Sequence, residues 1–106
     1  MSLQLDWPED LRSELDQRRV DFLKADLTVC FTFAKVAATE LKIGDRKAAA
    51  KAVGHAERGY ETINRFLTYP KQVSHLTGDQ IQKFKAELQR LRKRLDGFQK
   101  LPLGSA

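Results

Sequence analysis

The chain has 106 residues, of which 42% are hydrophobic and 31% charged, and its formal net charge is +5 at pH 7. That is the balance of a globular domain with its own core, not of a disordered chain. Its lone cysteine, Cys30, has no internal partner for a disulfide. No stretch reaches the roughly 18 consecutive apolar residues of a membrane span, and no basic segment followed by an apolar one opens the sequence, so a cytoplasmic, non-membrane protein is expected.

The first helix is expected over about residues 7–43. Asp6 and Glu9 have capping-box spacing, and Pro8 sits in the first turn, where its missing amide costs nothing. No further glycine or proline occurs until Gly44. Up to Arg19 the segment is mostly charged, with Leu11 and Leu15 as its apolar points; from Val20 onward it is apolar around most of its circumference. At ~100° per residue, Leu23, Leu27, Cys30, Ala34, Ala37 and Leu41 form one stripe. Phe22, Val29, Phe33, Val36 and Ile43 form a second, nearly opposite. A helix that is apolar on two sides must be covered on two sides.

Ile43-Gly44-Asp45 should end this helix and begin the next, expected over about 45–68. Glycine takes the left-handed conformation of a helix C-terminus, and aspartate accepts from the orphan amides of the next turn. Ala49, Ala52, Val53, Ala56, Tyr60, Ile63 and Leu67 share one face of this second helix. Gly59 lies at the edge of that face, where it permits a close crossing, whereas Gly54 lies nearly opposite it. Tyr69-Pro70 stops the helix, and a flexible loop is expected from Lys71 to Leu76. Thr77 and Gln80 then have capping-box spacing for a third helix over about 78–100. Ile81, Phe84, Leu88, Leu91, Leu95 and Phe98 recur at steps of three and four, a coiled-coil-like seam. Gly97 and Pro102 close it, and the last residues are expected as a frayed tail.

The pattern predicts an all-α fold, a single domain over 1–106 built as an up-down-up three-helix bundle with a long first helix. The second and third helices are too short to cover the first from end to end, so the segment Glu9 to Arg19 should overhang with Leu11 and Leu15 exposed. A protein partner, and a homodimer first of all, is therefore expected, with Leu11, Leu15, Phe22, Val29, Phe33 and Val36 as candidate interface residues.

The hairpin residues also resemble one tetratricopeptide repeat. Phe33, Val36 and Ala37 fall at the large, large and small positions of its first helix, Gly44 at its turn, and Ala49, Val53 and Ala56 at the small, large and small positions of its second. Glu40 stands where that family has an aromatic, Glu61 replaces its terminating proline, and only one unit, Phe33 to Glu61, is visible where about three normally stack. The resemblance implies protein or peptide binding and carries no catalytic residue.

Charge is unevenly placed. From Asp6 to Asp21 six acids face three arginines, whereas from Asp79 to Lys100 seven bases face three acids. Lys83, Arg90, Arg92, Lys93 and Arg94 are thus a candidate patch for an anionic partner, nucleic acid above all, although no aromatic residues interleave Arg90 to Arg94 for base stacking. For catalysis there is little material. His55-Ala56-Glu57 is half of a zinc-deaminase signature whose cysteine half is missing. His75 is expected solvated beside a cap. Glu57 and Glu61 lie one turn apart without the Glu-x-x-His pattern of bundle di-metal sites, and Cys30, set among apolar neighbours, reads as a buried, inert thiol. These residues point to a non-catalytic helical interaction or scaffold module, without cofactor or metal; the alternative is a nucleic-acid-associated protein using its basic third helix.

Overall fold

The structure is a computed structural model that describes residues 9–74 and 76–99, with the side chains of residues 9–13, 72 and 99 outside the description. Among the described residues four helices succeed one another: α1 (Glu9–Lys42), α2 (Arg46–Thr68), α3 (Pro70–Val73) and α4 (Gly78–Gln99). The three long ones form the expected up-down-up bundle, with α1 the longest and packed chiefly on α2. The cap expected at Asp6, the loop residue His75 and the tail from Lys100 lie outside the described residues, as does the side chain of Leu11.

α1 is unbroken over 34 residues, about 51 Å at 1.5 Å per residue. Its end is a complete Schellman motif: Gly44 has φ +85°, its amide donates to the Leu41 carbonyl at 3.1 Å, and the Asp45 amide donates to the Glu40 carbonyl at 2.8 Å. The Asp45 carboxylate then accepts from the Ala48 amide at 3.0 Å and caps α2. At the far end Tyr69 is extended, with φ −86° and ψ 117°, as a residue before proline must be.

The loop expected from Lys71 to Leu76 gives way to a single helical turn, α3. Pro70 opens it, because its ring fixes the helical φ and its missing amide is one that a first turn leaves unpaired anyway. The Ser74 amide donates to the Pro70 carbonyl at 3.1 Å and the Leu76 amide to the Val73 carbonyl at 2.9 Å, which delivers Leu76 into the core. α4 then begins with both halves of a capping box. The Gln80 amide donates to the Thr77 hydroxyl at 3.1 Å, and the Thr77 amide donates to the Gln80 side-chain oxygen at 2.9 Å.

Val20, Leu23, Leu27 and Cys30 of α1 meet Ala56, Ile63 and Leu67 of α2 and Phe84, Leu88, Leu91 and Leu95 of α4 in the main core. A second, smaller cluster of Ala37, Ala49 and Ala52 lies toward the α1–α2 turn, where alanines on both arms let the helices run close together. The expected inner stripes of all three helices are therefore the observed ones, with Leu41, Val53, Tyr60, Ile81 and Phe98 half-buried at their margins. Full burial of each leucine contributes roughly 1.5–3 kcal/mol. Gly59 marks the tightest crossing: a Cβ built there would run into the Cys30 sulfur. At Gly54 a Cβ would meet only the Arg58 Nη1 at 3.7 Å, an ordinary contact, and nothing in the structure explains a glycine there.

Candidate functional site

The outer face of α1 is the part of the bundle that its own helices leave uncovered. The inner stripe turns toward α2 and α4, so residues some 140° away around the helix point outward. Leu15, Phe22, Val29, Val36 and Ile43 stand there at strict intervals of seven. Phe22 keeps 67% of its surface exposed, Val29 51%, Val36 40% and Ile43 71%, so these are not margins of the core but an apolar row in water. Leu15 is half-buried. Four intervening positions, three residues beyond the first four members of the row, hold Arg18, Ala25, Thr32 and Thr39, all exposed. The Thr32 hydroxyl donates back to the Thr28 carbonyl at 2.9 Å, which satisfies its hydrogen bond within the helix. Rows repeating at seven residues, with small side chains between, make the seam by which one helix lies along another.

Charges flank this seam: Glu14, Arg19, Asp21 and Asp26 along its N-terminal half, and Lys35, Glu40 and Lys42 along its C-terminal half. Within the N-terminal part, Arg18 reaches Glu14 at 3.6 Å and Gln17 donates to Asp21 at 2.9 Å, both one turn apart and exposed; such pairs contribute only tenths of a kcal/mol. From residue 14 to residue 19 no side chain is buried, and among the described side chains of α1 the first buried one is Val20; Leu15, expected in water, is half-buried.

Phe33 parts from the row. It is half-buried, and its ring stacks on the His55 imidazole with centroids 4.9 Å apart and planes 27° from parallel. Its position, about 40° from Val29 around the helix toward the core, sets it over α2 and not on the outward seam. His55 also accepts a hydrogen bond at Nδ1 from Arg58 at 2.7 Å, so its ring is held between two partners as a structural element of the α1–α2 contact.

Of the five basic residues of the sequence cluster, Lys83, Arg90 and Arg94 share the side of α4 toward α1, and Arg92 lies on the opposite side. Arg92 turns toward α2, where its guanidinium forks onto the Glu57 carboxylate at 2.6 and 2.8 Å, also donates to Asp96 at 2.9 Å, and lies over the Tyr60 ring at 5.0 Å. Hydrogen bonding to Glu57, with that carboxylate's charge and Asp96 behind it, outweighs partial burial and holds Arg92 ionised more firmly than usual. Arg90 and Arg94 turn the other way, over the Phe31 ring of α1 at 5.4 and 5.8 Å, and Arg90 also makes a two-pronged pair with Glu87 at 2.8 and 2.9 Å. Lys83 and Lys93 are exposed. The Arg92–Glu57 clamp joins residues 35 apart, and no local pattern in the sequence announces it. Between α1 and α4, whose contact is the looser one, runs an open groove of about 500 Å³ floored by Val20, Leu27, Phe31 and Phe84, with Lys24 and Lys83 at its rim.

Cys30 is buried, and burial, reinforced by the negative charge of Asp26, pushes its thiol above the ordinary value, which disfavours the reactive thiolate. Among the described residues no group of three or more His, Cys, Asp or Glu side chains is placed to hold a metal ion, and no helix is long and apolar enough to cross a membrane. Compared with known proteins, the chain matches no family model, no curated protein and no solved structure.

Proposed function

We propose that this protein is a non-catalytic helical interaction module whose outer α1 face docks along a helix of a protein partner, a second copy of the same chain first of all. The observation that carries this reading is the exposed heptad row Phe22, Val29, Val36 and Ile43. Covering what each of these leaves in water contributes on the order of 1 kcal/mol. Four such side chains against a polar surface fall short of the roughly 4–15 kcal/mol that association costs, whereas two rows covering each other double the gain. The resemblance of the α1–α2 hairpin to a tetratricopeptide repeat points toward protein binding as well, and the lone buried thiol of Cys30 fits a reducing, cytoplasmic setting. Nucleic-acid binding through α4 has less support, because Arg92 and Arg90 spend their charge on Glu57, Asp96 and Glu87.

Light scattering on a size-exclusion column is the test. The wild-type chain at micromolar concentration is expected at twice its 12.1 kDa mass, and Val29→Glu, which adds a charge at the middle of the row, is expected at the monomer mass with its helical content unchanged. A wild-type monomer at every accessible concentration removes self-association, and a dimer that Val29→Glu leaves intact removes this face as its site.

A further inference from the structure

The heptad row has a polarity, and its charges and side-chain sizes both select one arrangement of two copies. A parallel pair would set Asp21 of one α1 beside Asp26 of the other and bring Arg18, inside the seam, against its own copy. An antiparallel pair can instead set acid against base on both flanks. The macrodipoles of two long helices also favour opposed directions.

Within the antiparallel arrangement the seam fixes the register. In such pairs each residue of the large row faces a residue of the intervening row on the other helix. One alignment puts Phe22 opposite Thr39 of the second copy, Val29 opposite Thr32 and Val36 opposite Ala25. Each of these three large side chains then meets a small one, and Ile43 falls opposite Arg18 at each end of the seam. The same alignment sets Asp21 beside Lys42 of the second copy and Arg19 beside Glu40, each occurring twice by symmetry. Sliding by one heptad in one direction sets Asp26 against Asp26 and Val36 against Arg18, although Asp21 then meets Lys35, and sliding in the other sets Lys35 against Lys35 and Asp26 against Glu40; like charges facing across a seam are unfavourable.

We propose that the protein forms a symmetric antiparallel dimer through the outer face of α1 in this register, with Val29 and Thr32 of the two copies at its centre. This rests on the reading of that face as a docking surface. Opposed α1 helices would carry the two bundles on opposite sides of one seam and leave the second copy's α4 groove open, so that the dimer would display two identical copies of every remaining surface.

Cysteine cross-linking with a bis-maleimide of about 8 Å span separates the failure of this inference from the failure of the underlying reading. Ala25→Cys and Val36→Cys, both exposed positions, are prepared separately, then mixed and refolded together, with the wild-type chain and its buried Cys30 as the blank. In the proposed register residue 25 of one copy faces residue 36 of the other, while two copies of either residue are offset by 11 positions, about 16 Å along the axis. A cross-linked dimer is expected in the mixture and in neither variant alone. Cross-linking of each variant with itself would show a parallel pair and overturn the inference while leaving the docking face in place. A wild-type dimer in which neither the mixture nor either variant cross-links would overturn the register. A wild-type monomer would overturn this inference together with the self-association on which it rests. Charge reversal provides a second readout: Asp21→Lys and Lys42→Asp should each weaken the dimer at least tenfold, and the two together in one chain should restore it. Failure of the double variant to regain the dimer contradicts the pairing.

Discussion

Replacing Gly59 by alanine sets two effects of known size against each other. Within a helix, alanine is favoured over glycine by about 1 kcal/mol. The new methyl group, however, falls on the Cys30 sulfur, in a core where forcing in one extra carbon costs roughly 1–3 kcal/mol. Gly59→Ala should therefore destabilise the protein by about 1–2 kcal/mol. Truncating the sulfur reverses the balance: in a Cys30→Ala background the added methyl group enters space the sulfur has left, and the same substitution should stabilise by about 0.5–1 kcal/mol. The coupling between the two sites is then on the order of 2 kcal/mol, well above the ~0.5 kcal/mol expected of independent sites. Urea denaturation monitored by circular dichroism at one fixed protein concentration gives all four corners of the cycle. Gly54→Ala is the control, because its methyl group meets nothing tighter than an ordinary contact with Arg58, and it should stabilise by about 0.5–1 kcal/mol. If Gly59→Ala stabilises the Cys30 parent as much as Gly54→Ala does, the close crossing is not there.

Glu57→Gln removes one arm of the clamp on Arg92, whose side chains are only 25% and 27% exposed, and should lower the urea midpoint by an amount equivalent to about 1–2 kcal/mol; an unchanged midpoint would show the pair to be solvent-screened. Because the folded-state pKa of Cys30 is raised, the unfolded chain ionises first as pH climbs through the ordinary thiol value of about 8.5, and folded stability falls there. The advantage of the wild type over Cys30→Ala should therefore shrink between about pH 8 and 10, and an advantage that stays flat or grows would contradict the burial of the thiol. Oligonucleotides tested by fluorescence anisotropy at about 150 mM salt should bind no tighter than the ~10⁻⁴ to 10⁻⁶ M of nonspecific attraction. A sub-micromolar affinity that disappears on replacing Lys83, Arg90, Arg92, Lys93 and Arg94 by glutamine would move nucleic acid ahead of protein as the partner.

Periodicity and end signals are local, and they carried the architecture. The inner stripe from Leu23 to Leu41, the Gly44-Asp45 turn and the reciprocal Thr77–Gln80 cap all arise from residues within a few positions of one another. The turn α3 was hidden because proline signals both a stop and a start, and whether the next four residues wind depends on the pull of Leu76 into the core. Features decided between helices were less legible. Arg92 turns toward Glu57 because α4 presents one side to α2 and another to α1, a rotation that a count of basic residues does not contain. Phe33 shares an apolar arc with Val29 and Val36, and only the seating of α2, with His55 beneath it, takes it off the exposed row. The heptad itself was present in the sequence, but Phe33 in the same stripe obscured its strict interval of seven.

Sedimentation equilibrium tests most directly whether the outer α1 face is a protein-docking seam. Wild type and the double variant Val29→Glu/Val36→Glu are compared over a range of concentrations, both positions being exposed in the single chain. A docking seam predicts a wild-type mass rising with concentration to twice 12.1 kDa and a variant that stays at the single-chain mass while melting as cooperatively as the parent. Identical masses for the two at every concentration, whether of one chain or of two, would contradict it.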